Sequence, residues 1–251
     1  MTSRAKGKAQ AARLEAVETV ARPVERLDDW SPSLLKSQAY DQILLDIIMG
    51  ELQPGERIDE QMLARRYRCG LAGIRDALAR LALEDLVQRR SRVGTTVAPL
   101  DILEVKQSFE ARYLIEPHCA GLAAMHATRA DIAAIKAAFD GAEAAISRDD
   151  YRKLVAMDQA FHTAVATASH NRTLAKMVVT LHNKAARFWV VAMTARPKKE
   201  RIEDLAMHRT LTRAIEARNV EAAQKAMLVV LGEFPDNVKR TLETTVVRRV
   251  R

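Results

Sequence analysis

The spacing of apolar residues changes twice along this chain, and this limits the possible folds more than any other feature. From Ala39 to Leu81 apolar residues recur every three or four positions, the period of a helix with one buried face. That period is lost between Leu86 and Val97, where the residues indicate a small β-hairpin. The helical period returns at Asp101, and no further strand signal follows. We therefore predict a mainly α-helical protein that contains one short hairpin.

Three short helices precede the hairpin. The first ends near Gly50, before a turn at Pro54-Gly55, and Asp59 is the predicted N-cap of the second. A winged helix-turn-helix typically has three short helices followed by a basic hairpin, and we place one at residues 34–99. The predicted buried faces of the three helices contain Leu35, Ile43, Ile47, Leu63, Ile74, Ala77, Leu78 and Leu81.

Residues 100–245 are predicted to form an antiparallel all-α bundle of about six helices. The breaks between these helices are short, and short connections favour antiparallel neighbours. A basic extension, residues 1–33, precedes the two domains, and a short basic tail, residues 246–251, follows them. The predicted helices of the bundle are Ile102–His126, Ala130–Ser147, Asp150–Ser169, Thr173–Thr194, Lys199–Ala217 and Val220–Thr245.

Charge and composition limit the partners and the cellular compartment. The chain of 251 residues has a net charge of +8, which suggests a polyanionic partner such as nucleic acid. Its two cysteines are too few for a disulfide framework and indicate a reducing compartment. No apolar run approaches the roughly 20 residues that span a bilayer, and the N-terminus lacks the apolar segment of a signal peptide. We therefore expect a cytoplasmic protein with no membrane partner.

Short motifs are distributed in order over residues 35–245. The first domain contains Gly50-Glu51-Leu52-Gln53-Pro54-Gly55-Glu56-Arg57-Ile58, Leu63-Ala64, the run from Ile74 to Leu81, and Arg92-Val93-Gly94. The bundle contains Phe109-Glu110-Ala111-Arg112, Ile115-Glu116-Pro117, the run from Asp158 to His162, Asn171, Leu174, His208 and Ala214-Ile215. Their order and spacing resemble the GntR family of bacterial regulators, specifically its FadR-like branch with a C-terminal FCD ligand-binding domain. The resemblance implies a dimeric transcription regulator that binds a double-stranded DNA operator.

The predicted recognition helix departs from the family pattern at its start. Such families have a Ser/Thr-Arg pair followed by Thr and then Pro or Thr, whereas this chain has Gly70-Leu71-Ala72-Gly73. An arginine there contacts a guanine edge, and leucine cannot donate a hydrogen bond. Either the operator is contacted differently or sequence specificity is reduced. The remaining candidates for DNA contact, mostly to phosphate, are Arg65, Arg66, Arg75, Arg89, Arg90, Arg92 and Gly94. The competing interpretation of each arginine is an ordinary solvated surface charge.

Three residues of the bundle form a candidate metal site. Asp158 and His162 lie one turn apart on the predicted buried face of one helix, and His208 lies on the apolar stripe of another. Buried carboxylate and imidazole groups need partners, and Zn²⁺, Mn²⁺ or Ni²⁺ would satisfy all three. The competing interpretation is a polar cluster that is hydrogen-bonded within the core.

The family resemblance implies the same site with a fourth ligand, a histidine on the last helix. This chain has Val230 at that position, so we expect weaker metal binding and open positions for water or a carboxylate. His182 and His118 lie on partly apolar helix stripes and are alternative ligands.

Arg112 is the candidate effector-binding residue. The resemblance places an arginine of this helix near the ligand cavity, where a planar guanidinium suits a carboxylate. The competing interpretation is an ion pair with Glu116, one turn away on the same helix. Trp189, Phe188 and Tyr113 are candidates for lining the same cavity, although core packing is the commoner role of such residues.

Together the wing, the bundle and its polar residues predict a repressor whose operator affinity is controlled by a small organic acid at the metal and Arg112. No nucleophile–base pair, phosphate loop or dinucleotide motif is present, so we expect no catalysis. One alternative is a helical metal-dependent hydrolase, which needs a general base and leaves the wing arginines unexplained. The other is a low-specificity DNA-binding protein with a degenerate effector site, which accounts for both Gly70–Gly73 and Val230.

Overall fold

The structure, a computed structural model, describes residues 34–90 and 94–232. Four features of the prediction lie outside these residues. They are the basic extension 1–33, Arg92 in the turn of the hairpin, the last predicted helix beyond residue 232, and the tail 246–251.

Three helices begin the described chain: α1 (Leu34–Met49), α2 (Glu60–Arg66) and α3 (Leu71–Leu83). The carboxylate of Asp59 accepts hydrogen bonds from two backbone N–H groups in the first turn of α2 and so caps this helix. Gly70, which precedes α3, offers no side-chain cap. The apolar faces of the three helices meet in one core, which stabilises their arrangement through burial. Its innermost residues include Ile43, Leu63, Ile74, Leu78 and Leu81.

A two-stranded antiparallel hairpin follows, formed by β1 (Val87–Arg90) and β2 (Gly94–Val97). The segment before α2 pairs with the other side of β2 through Arg57 and Thr96. Val87 is buried against the helices, whereas the two arginines that end β1 are exposed. A helix-turn-helix followed by this wing confirms the predicted fold of the first part of the chain.

The remainder of the described chain is helical, which confirms the predicted all-α bundle. Helix α8 packs against α4 and α7, and α10 packs against α4 and α9. Side-chain caps at Thr128, Asn171 and Asn219 mark the starts of α5, α8 and α10. Within the described ranges, no helix is both long and apolar enough to cross a membrane. The helices are α4 (Ile102–His126), α5 (Arg129–Ala137), α6 (Ala142–Arg148), α7 (Tyr151–Ala168), α8 (Arg172–Ala195), α9 (Lys198–Glu216) and α10 (Val220–Leu231).

Two predicted helices of the bundle end earlier than the apolar periodicity indicates. The predicted helix over residues 130–147 is two helices, α5 and α6, because Gly141 has a φ of 81° and a right-handed helix cannot continue through it. The last predicted helix, which we extended to Thr245, ends at Leu231, and Gly232 after it has a φ of 62°. Helical spacing continues across both glycines in the sequence, and for this reason the prediction missed both breaks.

The helix-turn-helix packs on the bundle through α1, which contacts α7 and α8. Polar contacts strengthen this junction. Arg152 of α7 binds the carboxylates of Asp46 and Glu51 at 2.8 and 2.6 Å, and Arg66 of α2 binds the same two carboxylates at 3.2 and 2.6 Å. Asp46 is fully buried, so these cations compensate the cost of burying its charge.

Candidate metal and effector site

A cavity of about 100 Å³ lies among the helices of the bundle. A single water needs roughly 10–15 Å³ of such space, so the cavity has room for an ion and a small organic molecule. Its polar lining comes from four different helices: Arg112 of α4, Asp158 and His162 of α7, His182 and the C-cap Arg196 of α8, and Asp204 and His208 of α9. Val230 of α10 and Trp189 of α8 also line it.

Asp158, His162 and His208 offer one ligand atom each, and these atoms all lie within 4.8 Å of one another. Oδ1 of Asp158 is 3.4 Å from Nε2 of His208 and 3.9 Å from Nε2 of His162. All three side chains are buried. A carboxylate oxygen and two imidazole nitrogens converging at this range suit a transition metal such as Zn²⁺.

The outer nitrogens of two histidines are held by acceptors. Nδ1 of His162 lies 2.6 Å from Oε2 of Glu116, and Nδ1 of His208 lies 2.7 Å from the backbone carbonyl of Asp204. Because a carboxylate and a carbonyl can only accept, Nδ1 of both histidines carries a proton, and Nε2 of each is the atom that faces Asp158. Nε2 of His208 has no hydrogen-bond partner among the described residues. Metal-binding histidines are oriented in this way, so the residues present fit a metal ion.

Two buried carboxylates of the site, those of Glu116 and Asp158, stay ionised because of the groups around them. Burial by itself raises the pKa of Glu116, but the neighbouring Arg112 and His162 outweigh it and lower this pKa from 4.5 to about 2. Burial likewise opposes ionisation of Asp158, yet contact with the imidazole of His208, and then with those of His162 and His182, holds the pKa of Asp158 below its ordinary value. Both groups are therefore anionic at neutral pH.

His182 contacts the other carboxylate oxygen of the same aspartate. Its Nε2 is 3.3 Å from Oδ2 of Asp158, and its ring stacks on that of His162 with 4.7 Å between centroids. Nδ1 of His182 lies 3.2 Å from Nη2 of Arg112. Burial, and then the charges of Arg112 and His162, lower the pKa of His182 to about 3, so its ring is neutral. The other alternative ligand, His118, is exposed, so its prediction as a substitute was wrong.

Arg112 is both paired and part of the cavity lining. Its Nε donates to Oε1 of Glu116 at 2.5 Å, and only 5% of the residue is exposed. The ion pair foreseen as the competing interpretation therefore exists, but it is buried beside the cavity and not on the surface. Of the aromatic candidates, Trp189 lines the cavity, whereas Phe188 and Tyr113 pack in a small apolar cluster with Phe109.

The candidate DNA-binding residues lie on α2, α3 and the wing, and most are exposed. Leu71 and Ala72 are exposed in the first turn of α3, and 38% of Leu71 is accessible. Nε of Arg75 is 2.8 Å from Oε2 of Glu60, and this ion pair links α3 to the start of α2. Arg65, Arg89 and Arg90 are exposed, and Gly94 has a φ of 102°, which favours glycine. Arg66 differs from the others because it binds Asp46 and Glu51 at the junction with the bundle.

Two family models match this chain. The model of bacterial regulatory proteins of the gntR family matches residues 35–97, and that of the FCD domain matches residues 107–233. The chain belongs to the GntR family. The Escherichia coli repressor GlaR is 30% identical over 199 residues, covering 75% of this chain and 88% of GlaR. The Bacillus subtilis regulator LutR is 28% identical over 222 residues, covering 76% and 98%.

Solved structures agree with the fold of this GntR-family chain. Escherichia coli McbR/YncC superposes with a TM-score of 0.70 at 19% identity, covering 84% of this chain and 98% of that one. A transcriptional regulator from Rhodococcus superposes with a TM-score of 0.61, also at 19% identity, covering 82% and 96%. At this identity the likeness concerns the fold alone. The family and the sequence relatives establish that the chain is a DNA-binding transcription regulator and not an enzyme.

Sequence reasoning missed two arginines of this GntR regulator. Arg57 is exposed, and its Nε lies 3.5 Å from where a Cβ on Gly94 would be, so it belongs to the wing surface. Arg201 is buried beside a neighbouring smaller cavity that shares Asp158 and His208 with the larger one. Its Nε and Nη1 have no hydrogen-bond partner in the described part of the chain. Arg201 shares a helix face with His208, seven residues later, and this spacing was a usable signal.

Successive residues of α8 contact both the cavity and the recognition helix of this GntR regulator. The residue after His182 is Asn183, whose Nδ2 lies 3.2 Å from Oε2 of Glu84, the C-cap of α3. Lys184 then binds the neighbouring Asp85 at 2.7 Å, and Arg187 donates to the backbone carbonyl of Ala98 at 2.7 Å. Helix α8 thus joins the lining of the cavity directly to the end of the recognition helix and the base of the wing.

Proposed function

We propose that this regulator is a cytoplasmic, homodimeric repressor whose operator affinity depends on a transition metal and a small carboxylate bound in the cavity. The observation that supports this most strongly is the course of α8. His182 lines the cavity, while the next residue, Asn183, is hydrogen-bonded to Glu84 at the end of the recognition helix. A change in the cavity that moves α8 therefore acts on the element that enters DNA.

In this proposal Asp158, His162 and His208 hold Zn²⁺, Mn²⁺ or Ni²⁺. When bound, the ion supplies a positive charge and open coordination positions that attract a carboxylate. Glu116 and the carbonyl of Asp204 keep the two histidines in the ligating orientation. Val230 lines the cavity at the position of the family's fourth ligand and adds no donor atom.

The proposed effector is a small organic acid that contacts the ion and the guanidinium of Arg112. A cavity of about 100 Å³ admits only a few heavy atoms, so larger acids are excluded. L-lactate is a suitable first probe, because an Escherichia coli relative is named as a regulator of the L-lactate dehydrogenase operon. That relative is 29% identical over 237 residues, covering 83% of this chain and 88% of its own length.

A dimer places two recognition helices in successive major grooves of a palindromic operator. One exposed face of α4 supports self-association. Leu103, Leu114 and Met125 recur three turns apart along this face, and each is more than half exposed. An apolar stripe of this kind on the surface of a regulator is suited to burial against a second copy.

We propose that the first turn of α3 contacts thymine methyl groups in place of a guanine edge. Leu71 and Ala72 are exposed there and present only apolar groups, and the thymine C5-methyl is the apolar feature of the major groove. Arg65, Arg75 and the wing arginines Arg89, Arg90 and Arg92 then contact phosphates. Arg66 contributes less, since it is bound at the junction with the bundle.

Replacing single thymines by deoxyuridine in a selected operator should weaken binding at the position that Leu71 contacts by about fourfold. This is the effect of removing one buried methyl group, about 0.8 kcal/mol. The operator is obtained by selection from random duplexes, and binding is measured by fluorescence anisotropy. Leu71→Ala should abolish the sensitivity at that position, and uracil in the flanks serves as the control. Equal affinities for thymine and uracil throughout the site would exclude methyl recognition.

Leu71 stands at a position where the family has an arginine. This also favours a second function, in which the protein binds DNA with low specificity and without effector control. The same selection separates the two proposals. A repressor binds its selected site 10³-fold or more tighter than random duplex, on the order of the ratio for specific DNA-binding proteins. A ratio near one, with no response to metal or carboxylates, would favour the second function.

Asn183→Ala should uncouple the cavity from DNA without preventing metal binding. In the wild-type protein, saturating Zn²⁺ and effector should change operator affinity by about 5–150-fold, the usual range of allosteric coupling. We expect the variant to retain less than half of this coupling free energy, because the contact between α8 and Glu84 is lost. Operator affinity with and without ligands measures the coupling, and calorimetry measures Zn²⁺ affinity.

Thr173→Ala, an exposed position on the same helix, is the control. Undiminished coupling in Asn183→Ala would exclude this contact as the link.

A further inference from the structure

The three histidines of the cavity do not have the same tautomer. His162 and His208 donate from Nδ1 to acceptors, which leaves Nε2 of each ring as the atom that can bind an ion. His182 has the opposite arrangement. The atom facing its Nδ1 at 3.2 Å is Nη2 of Arg112, and a guanidinium can only donate. Nδ1 of His182 is therefore the acceptor, and its proton is on Nε2.

This tautomer prevents His182 from binding an ion in spite of its position. Its Nε2 points into the cavity, 3.3 Å from Oδ2 of Asp158, and makes no hydrogen bond with any described residue. An N–H group at that position has no lone pair for an ion. Moving the proton to Nδ1 would set it against the N–H of Arg112, so the two groups must separate before the tautomer can change.

We propose that His182 is a switched metal ligand, blocked while Arg112 donates to its Nδ1 and available once an anion draws Arg112 away. His182 then serves as the fourth ligand of the ion, which Val230 on α10 cannot do because its side chain has no donor atom. The inference rests on the proposed metal site at Asp158, His162 and His208, and it adds a specific link between ion and effector. A carboxylate that engages Arg112 converts a site with three protein ligands into one with four, so ion and carboxylate bind cooperatively.

The switch also connects to DNA binding through its place in the chain. His182 moves towards the ion when it ligates, and the next residue, Asn183, is bonded to Glu84 at the end of α3. Arg112 is meanwhile held to Glu116, which also holds His162. Glu116 therefore binds both Arg112, which controls the switched ligand His182, and His162, which is one of the three proposed permanent ligands.

The tautomers are tested directly by nitrogen-15 NMR of histidine side chains in the metal-free wild-type protein, assigned with His182→Phe. We expect the proton on Nδ1 in His162 and His208 and on Nε2 in His182. A proton on Nδ1 of His182 in this state would overturn the proposal, because nothing would then block ligation.

The switch itself is tested with Co²⁺ as the probe, in wild type, Arg112→Lys, His182→Phe and the double variant. Lysine keeps the charge beside Glu116 but is too short to reach His182. Arg112→Lys should bind Co²⁺ about tenfold more tightly than wild type, which is the size of effect that other changes around metal ligands have on affinity. Its Co²⁺ complex should also show the stronger visible absorption of a site with four protein ligands. In the His182→Phe background, the Arg112→Lys change should give no such gain in Co²⁺ affinity.

Two different failures can be distinguished. Equal Co²⁺ affinity in wild type and Arg112→Lys, or an equal gain with and without His182, overturns the switched ligand and leaves the metal site intact. No Co²⁺ binding in any of the four folded proteins overturns the metal site proposed above. Arg112→Met repeats the comparison with a side chain that cannot donate a hydrogen bond to His182, and circular dichroism verifies folding.

Discussion

His208→Ala is expected to lower the affinity for Zn²⁺ by about a hundredfold or more, because one of three proposed ligands is lost and even residues around the ligands change affinity 10–100-fold. Zn²⁺ should raise the melting temperature of the wild-type protein, since an ion that binds the folded state stabilises it by mass action. The variant should lose most of this increase. Calorimetric titration gives the affinity, and thermal unfolding with and without Zn²⁺ gives the increase.

The metal-dependent increase, and not the melting temperature itself, is the quantity that tests the site. The ring of His208 packs 4.8 Å from Phe139 and 4.9 Å from Phe161, so its removal destabilises the metal-free protein as well. His118→Ala is the matched control because His118 is an exposed histidine of the same bundle. If Zn²⁺ stabilises wild type and His208→Ala equally, the triad is a polar cluster of the core and no metal site.

Replacing Arg89, Arg90 and Arg92 together with alanine is expected to weaken binding to every duplex by up to about 500-fold at 0.1 M salt. Each phosphate contact contributes about 0.9 to the slope of log affinity against log salt, so three contacts contribute about 2.7. The salt slope should fall by the same amount. The loss should be similar for selected and random sequences, because phosphate contacts do not depend on base identity. Anisotropy titrations over a range of salt concentrations measure both quantities.

The control must remove equal charge from another surface. Arg129, Arg172 and Lys176 are exposed on the bundle, and their joint replacement by alanine lowers the net charge by the same three units. This variant should bind DNA nearly as well as wild type, since exposed charges farther than about 8–10 Å from the phosphates are screened. If both triple variants lose affinity equally, binding depends on net charge alone and not on the wing.

The helix-turn-helix, the wing and the bundle were all predictable because their signals are local. Apolar spacing identifies a buried helix face, and the cap at Asp59 acts within a single turn. The pairing of Asp158 with His162 was visible for the same reason, since residues four apart share a helix face. The breaks at Gly141 and Gly232 were missed because apolar periodicity alone does not indicate the backbone conformation that a glycine adopts.

The arrangement of the site required the tertiary structure. His182 and His118 both lie on partly apolar stripes of the sequence, yet one lines the cavity and the other is exposed. The position of Glu116 between Arg112 and His162, and that of Asn183 beside Glu84, join residues 46 and 99 positions apart. Such contacts depend on how each helix is rotated and where it crosses its neighbours. These are properties of the packed core as a whole, and no local pattern of residues determines them.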